Sequence, residues 1–401
     1  VFSQNEKIEP TLDVEVSVRA VADKIIRNSS FEIINTQTKE SFKTSDNLPV
    51  KEEYRIKSPF NEWRYYNGVI YISFIELGKL LEEEMYTRYA KKNISFLFDH
   101  TAYFRKQYDA GIFNWDYMPR FRMTWLDDCG AIGASIMEVD RLDPQKRYED
   151  YIDLAADYIM NGQHRLEDGT YCRKEPYEMT LWADDLYMSV PFLVRYAERT
   201  GKNEYYDEAI KQVFNFDKHL WNPAKQLYYH AWYDDVKHNS LAYWGRANGW
   251  VIMAKVELLN KLPVDHPRRD ELIENLRKHI VGLSRYQDDS GLWHQLLDHE
   301  NSFLETSCTA MFTYGIAKAV NEGWLDKRYT HIATQGWEGI AQKIMADGQV
   351  SGTVMGTGIG ENTHYYLSRK TPLNSPLGLG AVLLAGTEIL KLYKNEIHSI
   401  W

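Results

Sequence analysis

The stretch "LWADDLYMSVPFLVRYAERTG", residues 181–201, sets two adjacent acids, Asp184 and Asp185, at the head of a run that otherwise reads as a buried amphipathic helix. Desolvating one ionised carboxylate is costly, and two side by side cost more. The pair therefore belongs at the start of the helix, where solvent or a partner can reach it. Five further segments share this look, with polar or small residues leading into a Gly/Ala-rich apolar helix. They are "EWRYYNGVIYISFIELGKLL" from Glu62, "TWLDDCGAIGASIMEV" from Thr124, "YWGRANGWVIMAKVELLNKL" from Tyr243, "FLETSCTAMFTYGIAKAVNEG" from Phe303 and "SPLGLGAVLLAGTEILKLY" from Ser375. Their starts recur every ~55–75 residues, so a repeat reading comes before any other.

More charged segments lie between them, among them "DVEVSVRAVADKIIRNSS" from Asp13, "YEDYIDLAADYIMNGQHR" from Tyr148 and "NEYYDEAIKQVFNFDKHL" from Asn203. "RRDELIENLRKHIVGLSRYQ" from Arg268 and "YTHIATQGWEGIAQKIM" from Tyr329 continue the series, and a long helix is expected around "YAKKNISFLFDHTAYFRKQY". Apolar residues at i, i+3, i+4 and i+7 make these one-faced helices. Small residues let a helix pack on both sides and suit an inner ring; one-faced charged helices suit an outer ring. The expected fold is all-α: a closed (α/α)6 barrel of six helical hairpins, one domain over residues 1–401, with residues 1–12 a flexible lead. An open helical solenoid is the rival, and the lack of a distinct polar capping repeat favours closure.

The links from inner to outer helices are short, as in "ERTGKN" at 198–203. The returns are long: "LEDGTYCRKEPYEM", "NPAKQLYYHAWYDDVKHNS", "DDSGLWHQLLDHEN" and "ADGQVSGTVMGTGIGENTHYYLSRKTPLN". Turns followed by Tyr171–Arg173, Tyr228–His230 and Leu292–His294 predict short two-stranded ribbons. All long loops should leave one end of the barrel, where a site would be built.

Composition narrows the function. The chain has 401 residues, 44% hydrophobic and 26% charged, with 28 Tyr and 12 Trp. Such aromatic content suits a carbohydrate cleft as well as a large core. A net charge of -10 with no Lys/Arg stripe argues against nucleic acid. Cys129, Cys172 and Cys308 form no disulfide framework and read as small buried fillers. No apolar run is expected to reach the ~18 residues that span a bilayer. The opening "VFS" is compatible with the remnant of an export signal, giving a periplasmic or exported location, with the cytoplasm as the alternative.

Polar residues cluster toward the mouth: Asp127, Asp128, Lys174, Asp184, Asp185, His230, Arg246, Asn248, His294, Glu305 and His364. Inner-helix N-termini pointing there would favour an anion. In "WGRANGW", 244–250, Arg246 and Trp250 are four apart and share a helix face. A guanidinium beside an indole suits a sugar that bears a carboxylate. Asp184 and Asp185 are ~100° apart on a helix and cannot share one role; "WLDDCG" at 125–130 repeats the device. No spacing supports a metal site, and no cofactor is expected. "GTGIG" at 356–360 lacks the strand and the Lys-Ser/Thr of a phosphate loop, and no Ser stands in a nucleophile elbow.

With "LWADDLYM", "YHAWYD", "WGRANGW", "GLWHQLLD" and "ETSCTAMFTYGIAKAV" in order, the chain resembles glycoside hydrolase family 105, the unsaturated rhamnogalacturonyl hydrolases, relatives of the family 88 unsaturated glucuronyl hydrolases. The resemblance covers roughly residues 60–395 and implies the same (α/α)6 barrel. It implies removal of a 4,5-unsaturated galacturonyl or glucuronyl unit from the non-reducing end of lyase-generated oligosaccharides. An Asp protonates C4 of the vinyl ether and water adds at C5, unlike ordinary two-carboxylate chemistry. By motif, Asp184 would be the proton donor and Asp128 the second acid. His230, Arg246 and Trp250 would bind substrate, with Trp182, Lys174 and His294 as further binding candidates. The motif Asp127-Asp128-Cys129-Gly130 favours family 105, since family 88 usually has His-Asp there.

Two other readings stay open. An ordinary inverting glycosidase would need two carboxylates ~6.5–9.5 Å apart with water between them. A sugar epimerase or a glycan-binding barrel would use His230 with His294, or no catalyst at all.

Overall fold

A computed structural model describes residues 10–398. Among these, six inner helices run over Tyr65–Leu81, Gly130–Leu142, Asp185–Thr200, Gly245–Lys261, Thr306–Asn321 and Pro376–His398. Six outer helices span Pro10–Asn28, Glu84–Asp99, Lys146–Asp157, Asn203–Leu220, Arg269–Ser284 and Thr330–Ala341. Each inner helix packs on the next, and the sixth packs back on the first, so the ring closes. Five outer helices lie on the inner helix that precedes them. Pro10–Asn28 lies on Pro376–His398, so the sixth hairpin is assembled from opposite ends of the described chain.

Residue size sets the two layers. The outer helix Asn203–Leu220 buries Tyr206, Ala209, Ile210, Val213 and Phe216 on one face. The inner helices are buried nearly all round, and some contacts tolerate no side chain. A Cβ on Gly130 would stand 1.5 Å from the Met188 carbonyl oxygen, so glycine is required where the second and third inner helices meet. That contact sets the turn holding Asp127 and Asp128 beside the start of the third inner helix. At the far end of that helix Gly201, at φ +70, donates its N–H to Ala197 and turns the chain into the next outer helix.

The long returns build the opposite end. Trp221–Asn222 pairs with Leu227–Tyr228, and Trp293–His294 pairs with Leu304–Glu305. A three-stranded sheet places Ala231–Tyr233 between Thr180–Trp182 and His238–Asn239. Its Trp182↔Ala231 register is continued by the Ala183 N–H, which donates to the His230 carbonyl at 3.0 Å. Two loops distant in sequence are thereby clamped together at the barrel mouth.

Four expectations need correction or limits. The segment around residues 89–108 breaks at His100 into Glu84–Asp99 and Thr101–Asp109, where His100 Nδ1 meets Ser45 Oγ at 2.8 Å. A three-stranded sheet of Ile33–Asn35, Ser41–Phe42 and Tyr54–Ile56 precedes the first inner helix and had no clear signal in short, partly polar strands. Residues 10–12 of the expected lead are helical; residues 1–9, with the "VFS" opening, lie outside the described residues. The span Pro376–Asn395 is, against expectation, long and apolar enough to cross a bilayer by length and composition. Its apolarity is that of a ring helix, buried against the first and fifth inner helices and the first outer helix. Cys129, Cys172 and Cys308 are all buried and unpaired.

Candidate active site

The site grows from the head of the third inner helix, where Asp184 is the capping position and Asp185 the first helical residue. Asp185 is fully buried, and burial raises its pKa; the Arg173 guanidinium opposes that shift. Arg173 Nε donates to both Asp185 oxygens at 3.2 and 3.0 Å, and Nη2 donates to Asp185 Oδ1 at 2.6 Å. The same Nη2 reaches Asp127 Oδ1 at 3.1 Å. The guanidinium lies 4.4 Å from the Trp182 ring and 5.5 Å from the Trp125 ring. Arg173 thus joins the two Asp-Asp motifs inside an aromatic sleeve.

The first motif is divided the same way. Arg122 donates to both oxygens of Asp128, and the N–H groups of Thr124 and Trp125 add bonds at 3.0 and 3.3 Å. This carboxylate is saturated and buried. Asp127 keeps 23% of its side chain exposed and faces the mouth. Burial pushes its pKa up to about 6, against the pull of Arg173 and with added repulsion from Asp185, Asp128 and Asp184. The expected second acid, Asp128, is thus held by four hydrogen bonds, while its neighbour Asp127 keeps the more exposed position in the same pocket.

Asp184 keeps 15% of its side chain exposed. Its Oδ2 stands 3.5 Å from His230 Nε2, close enough for charge pairing but not aligned as a hydrogen bond. Both atoms are buried without a hydrogen-bond partner, as is Trp182 Nε1, whose ring meets His230 edge-on at 5.6 Å. A buried polar atom left unpaired costs about 1–3 kcal/mol. Three of them on neighbouring side chains are polar groups left for a ligand to satisfy. Tyr366 holds the far side of His230, Oη to Nδ1 at 2.9 Å, and the Trp244 ring packs 4.6 Å from the imidazole. Tyr65 closes another wall: burial raises its phenol pKa to about 12, with Arg246 opposing and Asp127 and Asp184 adding to the shift.

Arg246 and Trp250 are placed differently from the expectation of a direct clamp. Arg246 is buried; Nη1 donates to the Val354 carbonyl at 2.6 Å and to Ser307 Oγ at 3.2 Å, and Nη2 donates to the Met355 carbonyl at 2.8 Å. It suspends the glycine-rich loop over the mouth while its charge remains behind Tyr65. Trp250 is buried against Tyr187 at 4.9 Å and Tyr65 at 6.0 Å and supports the floor.

Other candidates lie outside this constellation. Lys174 is exposed in a groove with Trp125, Tyr158 and His164. His294 Nδ1 bonds the Ser302 carbonyl, and its Nε2 lies 3.8 Å from Asp288, so it fastens its own ribbon. Asn248 bonds the Tyr228 N–H and carbonyl at 2.8 and 2.9 Å. Glu305 caps the fifth inner helix through Ser307 and Cys308 N–H groups at 3.0 and 2.7 Å, so that N-terminus carries no free receptor. His364 is exposed. Among the described residues no three His, Cys, Asp or Glu side chains group as a metal cage.

The geometry adds Arg173, Tyr65, Tyr366 and Arg64, which motif reading passed over, and gives a place to Asp127, which the sequence named at the mouth without a role. Arg64 sits with Trp115, Arg122 and Trp125 around the outer pocket. Its pKa is raised by Tyr66, Tyr65, Glu62 and Asp127, although burial opposes this. A signal existed for two of them. Asp127 and Arg173 are direct sequence neighbours of the chosen Asp128 and Lys174.

Comparison with known proteins agrees with this architecture. The chain is 29% identical over 272 residues to the unsaturated rhamnogalacturonyl hydrolase YesR of Bacillus subtilis, covering 66% of this chain and 77% of that protein. It is 31% identical over 215 residues to an unsaturated 3S-rhamnoglycuronyl hydrolase of Alteromonas, covering 52% of this chain and 51% of the relative. A possible family 105 member from Klebsiella pneumoniae shares the fold, with a TM-score of 0.77 at 24% identity over 97% of this chain and 96% of that one. The description of glycosyl hydrolase family 88 fits residues 34–393, nearly the whole barrel. The chain therefore belongs to glycosyl hydrolase family 88, and it is a glycosidase.

Proposed function

We propose that this glycosidase removes a 4,5-unsaturated galacturonyl or glucuronyl unit from the non-reducing end of an oligosaccharide, with Asp184 as proton donor. The carrying observation is the grouping at His230 of three buried, unpartnered atoms: Asp184 Oδ2, His230 Nε2 and Trp182 Nε1. The names of the two curated relatives support this substrate class.

In the first step the carboxylic acid of Asp184 gives its proton to C4. The double-bond electrons form the new C–H bond, and positive charge develops at C5 and the ring oxygen. Water adds at C5 and returns its proton to the Asp184 carboxylate. The C5 hemiketal opens to a ketone, and the hemiacetal left at C1 expels the neighbouring sugar as an alcohol. Asp127, close enough to feel the charge of Asp184, is the second acid and orients water or a ring hydroxyl. Arg246 behind Tyr65 and Arg64 at the rim supply positive charge for an anionic ring.

The test is optical. Lyase digests of pectin, ulvan and arabinogalactan carry the ultraviolet absorbance of the unsaturated uronide, and the enzyme should bleach at least one of them. In heavy water the released keto acid should carry deuterium at C4. Unchanged absorbance with every digest, or an unlabelled C4, overturns the reading.

A further inference from the structure

We infer that Tyr366 is a positioning residue that fixes the tautomer of His230, so that the imidazole presents Nε2–H to Asp184. The inference rests on the reading of Asp184 and His230 as the reacting site, but its evidence is a chain of donors and acceptors. The Gly360 N–H donates to Tyr366 Oη at 3.0 Å. The same oxygen lies 2.9 Å from His230 Nδ1. Tyr366 is fully buried, and among the described residues its O–H has no other acceptor within reach. A phenol has one proton to give. If Nδ1 carried the ring hydrogen, that O–H would be buried without an acceptor, at a cost of about 1–3 kcal/mol. The Nε2 lone pair would then also face a lone pair of Asp184 Oδ2 across 3.5 Å. With the O–H given to Nδ1, both conflicts vanish: the hydrogen resides on Nε2, the ring nitrogen 3.5 Å from the carboxylate.

The surroundings keep this arrangement from relaxing. The backbone of Tyr366 is held by Gln295 Nε2, which donates to its carbonyl at 2.6 Å. The His230 N–H donates to the Ala242 carbonyl at 2.9 Å, and its own carbonyl accepts from Ala183. Trp244 and Trp182 pack against the ring, with centroids 4.6 and 5.6 Å away. The consequence falls on the proton-transfer step. Once Asp184 has delivered its proton, the carboxylate left behind meets a donor in His230 rather than a second lone pair. The glycine-rich loop thus reaches the proton donor through two hydrogen bonds, Gly360 to Tyr366 and Tyr366 to His230.

Nitrogen NMR of the full protein labelled in histidine tests this, with His230 assigned from the spectrum of His230→Gln. The wild type should show a pyridine-like Nδ1 and a pyrrole-like Nε2. Tyr366→Phe should show both tautomers, with kcat lowered about 10–100-fold and KM within about twofold. A pyrrole-like Nδ1 in the wild type overturns the inference. So does a Tyr366→Phe enzyme that loses activity while His230 keeps the wild-type tautomer. Should Tyr366→Phe fail to fold, the wild-type spectrum alone decides. Failure of the substrate reading is distinct, since it shows as unchanged ultraviolet absorbance while the nitrogen spectrum is unaffected.

Discussion

Asp127-Asp128 and Asp184-Asp185 stand side by side at the barrel mouth, and each gives its second acid to a guanidinium and its first to the cleft. Arg122 takes Asp128, and Arg173 takes Asp185. The cleft-facing acids then differ. Asp127 still accepts a bond from Arg173 at 3.1 Å, whereas Asp184 Oδ2 accepts no hydrogen bond among the described residues, with His230 Nε2 unaligned at 3.5 Å. A carboxyl that must give up and regain a proton cannot be pinned by a permanent cation, which always favours its ionised form. In the second pair the first acid carries no hydrogen bond from a guanidinium among the described residues. The first pair is built to hold charge beside it.

Breaking the comparison at its strongest point gives the largest effect. Asp184→Asn should lower kcat about 10³-fold in the ultraviolet assay, the scale of a lost general acid. Its melting temperature should equal or exceed that of the wild type, because no native partner of Asp184 Oδ2 is lost. Retained activity would move the proton donor elsewhere.

One residue later the outcome should invert. Asp185→Asn leaves the Arg173 charge buried with half its compensation gone, and stability should fall by about 3–5 kcal/mol in urea unfolding. An Asp185→Asn protein as stable as the wild type would show that the two acids are not divided by role.

Asp127→Asn sharpens the contrast through pH. The folded-state pKa of Asp127 is raised to about 6, so its protonated form favours the fold. That contribution is complete below about pH 4 and disappears as pH rises through about 6. The variant should therefore gain on the wild type as pH goes from 4 to 7, by about 2–3 kcal/mol at most. The limb of the wild-type kcat/KM profile near pH 6 should vanish with it. A stability difference that is flat with pH would remove Asp127 from the mouth.

Smallest of all, Lys174→Ala should change stability by less than about 0.5 kcal/mol and turnover by less than twofold, since its exposed side chain stands in another groove. A tenfold rise in KM would bring that groove into the substrate path.

These contrasts also locate the limit of sequence reading. The rings were legible because glycine and alanine on one set of helices, and one-faced amphipathicity on the other, are physical requirements of the two layers. The mouth was legible because the long returns all join outer to inner helices. Asp184, His230 and Trp182 were named at the positions where the structure groups them, since their motifs meet where Thr180–Trp182 pairs with Ala231–Tyr233. Asp127 is the more exposed and Asp128 the buried member of one pair, and Lys174 is exposed where Arg173 is buried, because successive residues of an extended or turning chain face opposite ways. The choice between them depends on which partner arrives: Arg122 from the preceding turn, or Asp185 from the next hairpin. Tyr366 was beyond reach for a related reason. It lies 136 residues from His230, and only ring closure brings the two together. Arg246 and Trp250 share a helix face as their spacing requires, yet loop carbonyls and neighbouring tyrosines had the stronger claim on them.

The hairpin built from Pro10–Asn28 and Pro376–His398 has a consequence in time. Pro10–Asn28 must wait for Pro376–His398 to be made before it can bury its apolar face, and until then the first and fifth inner helices each lack a neighbour. Contacts this distant in the chain form late and slowly. Because Tyr65 and Tyr366, from the two arcs flanking that seam, both line the cleft, a refolding chain should regain activity only in its final kinetic phase, after most helical signal has returned.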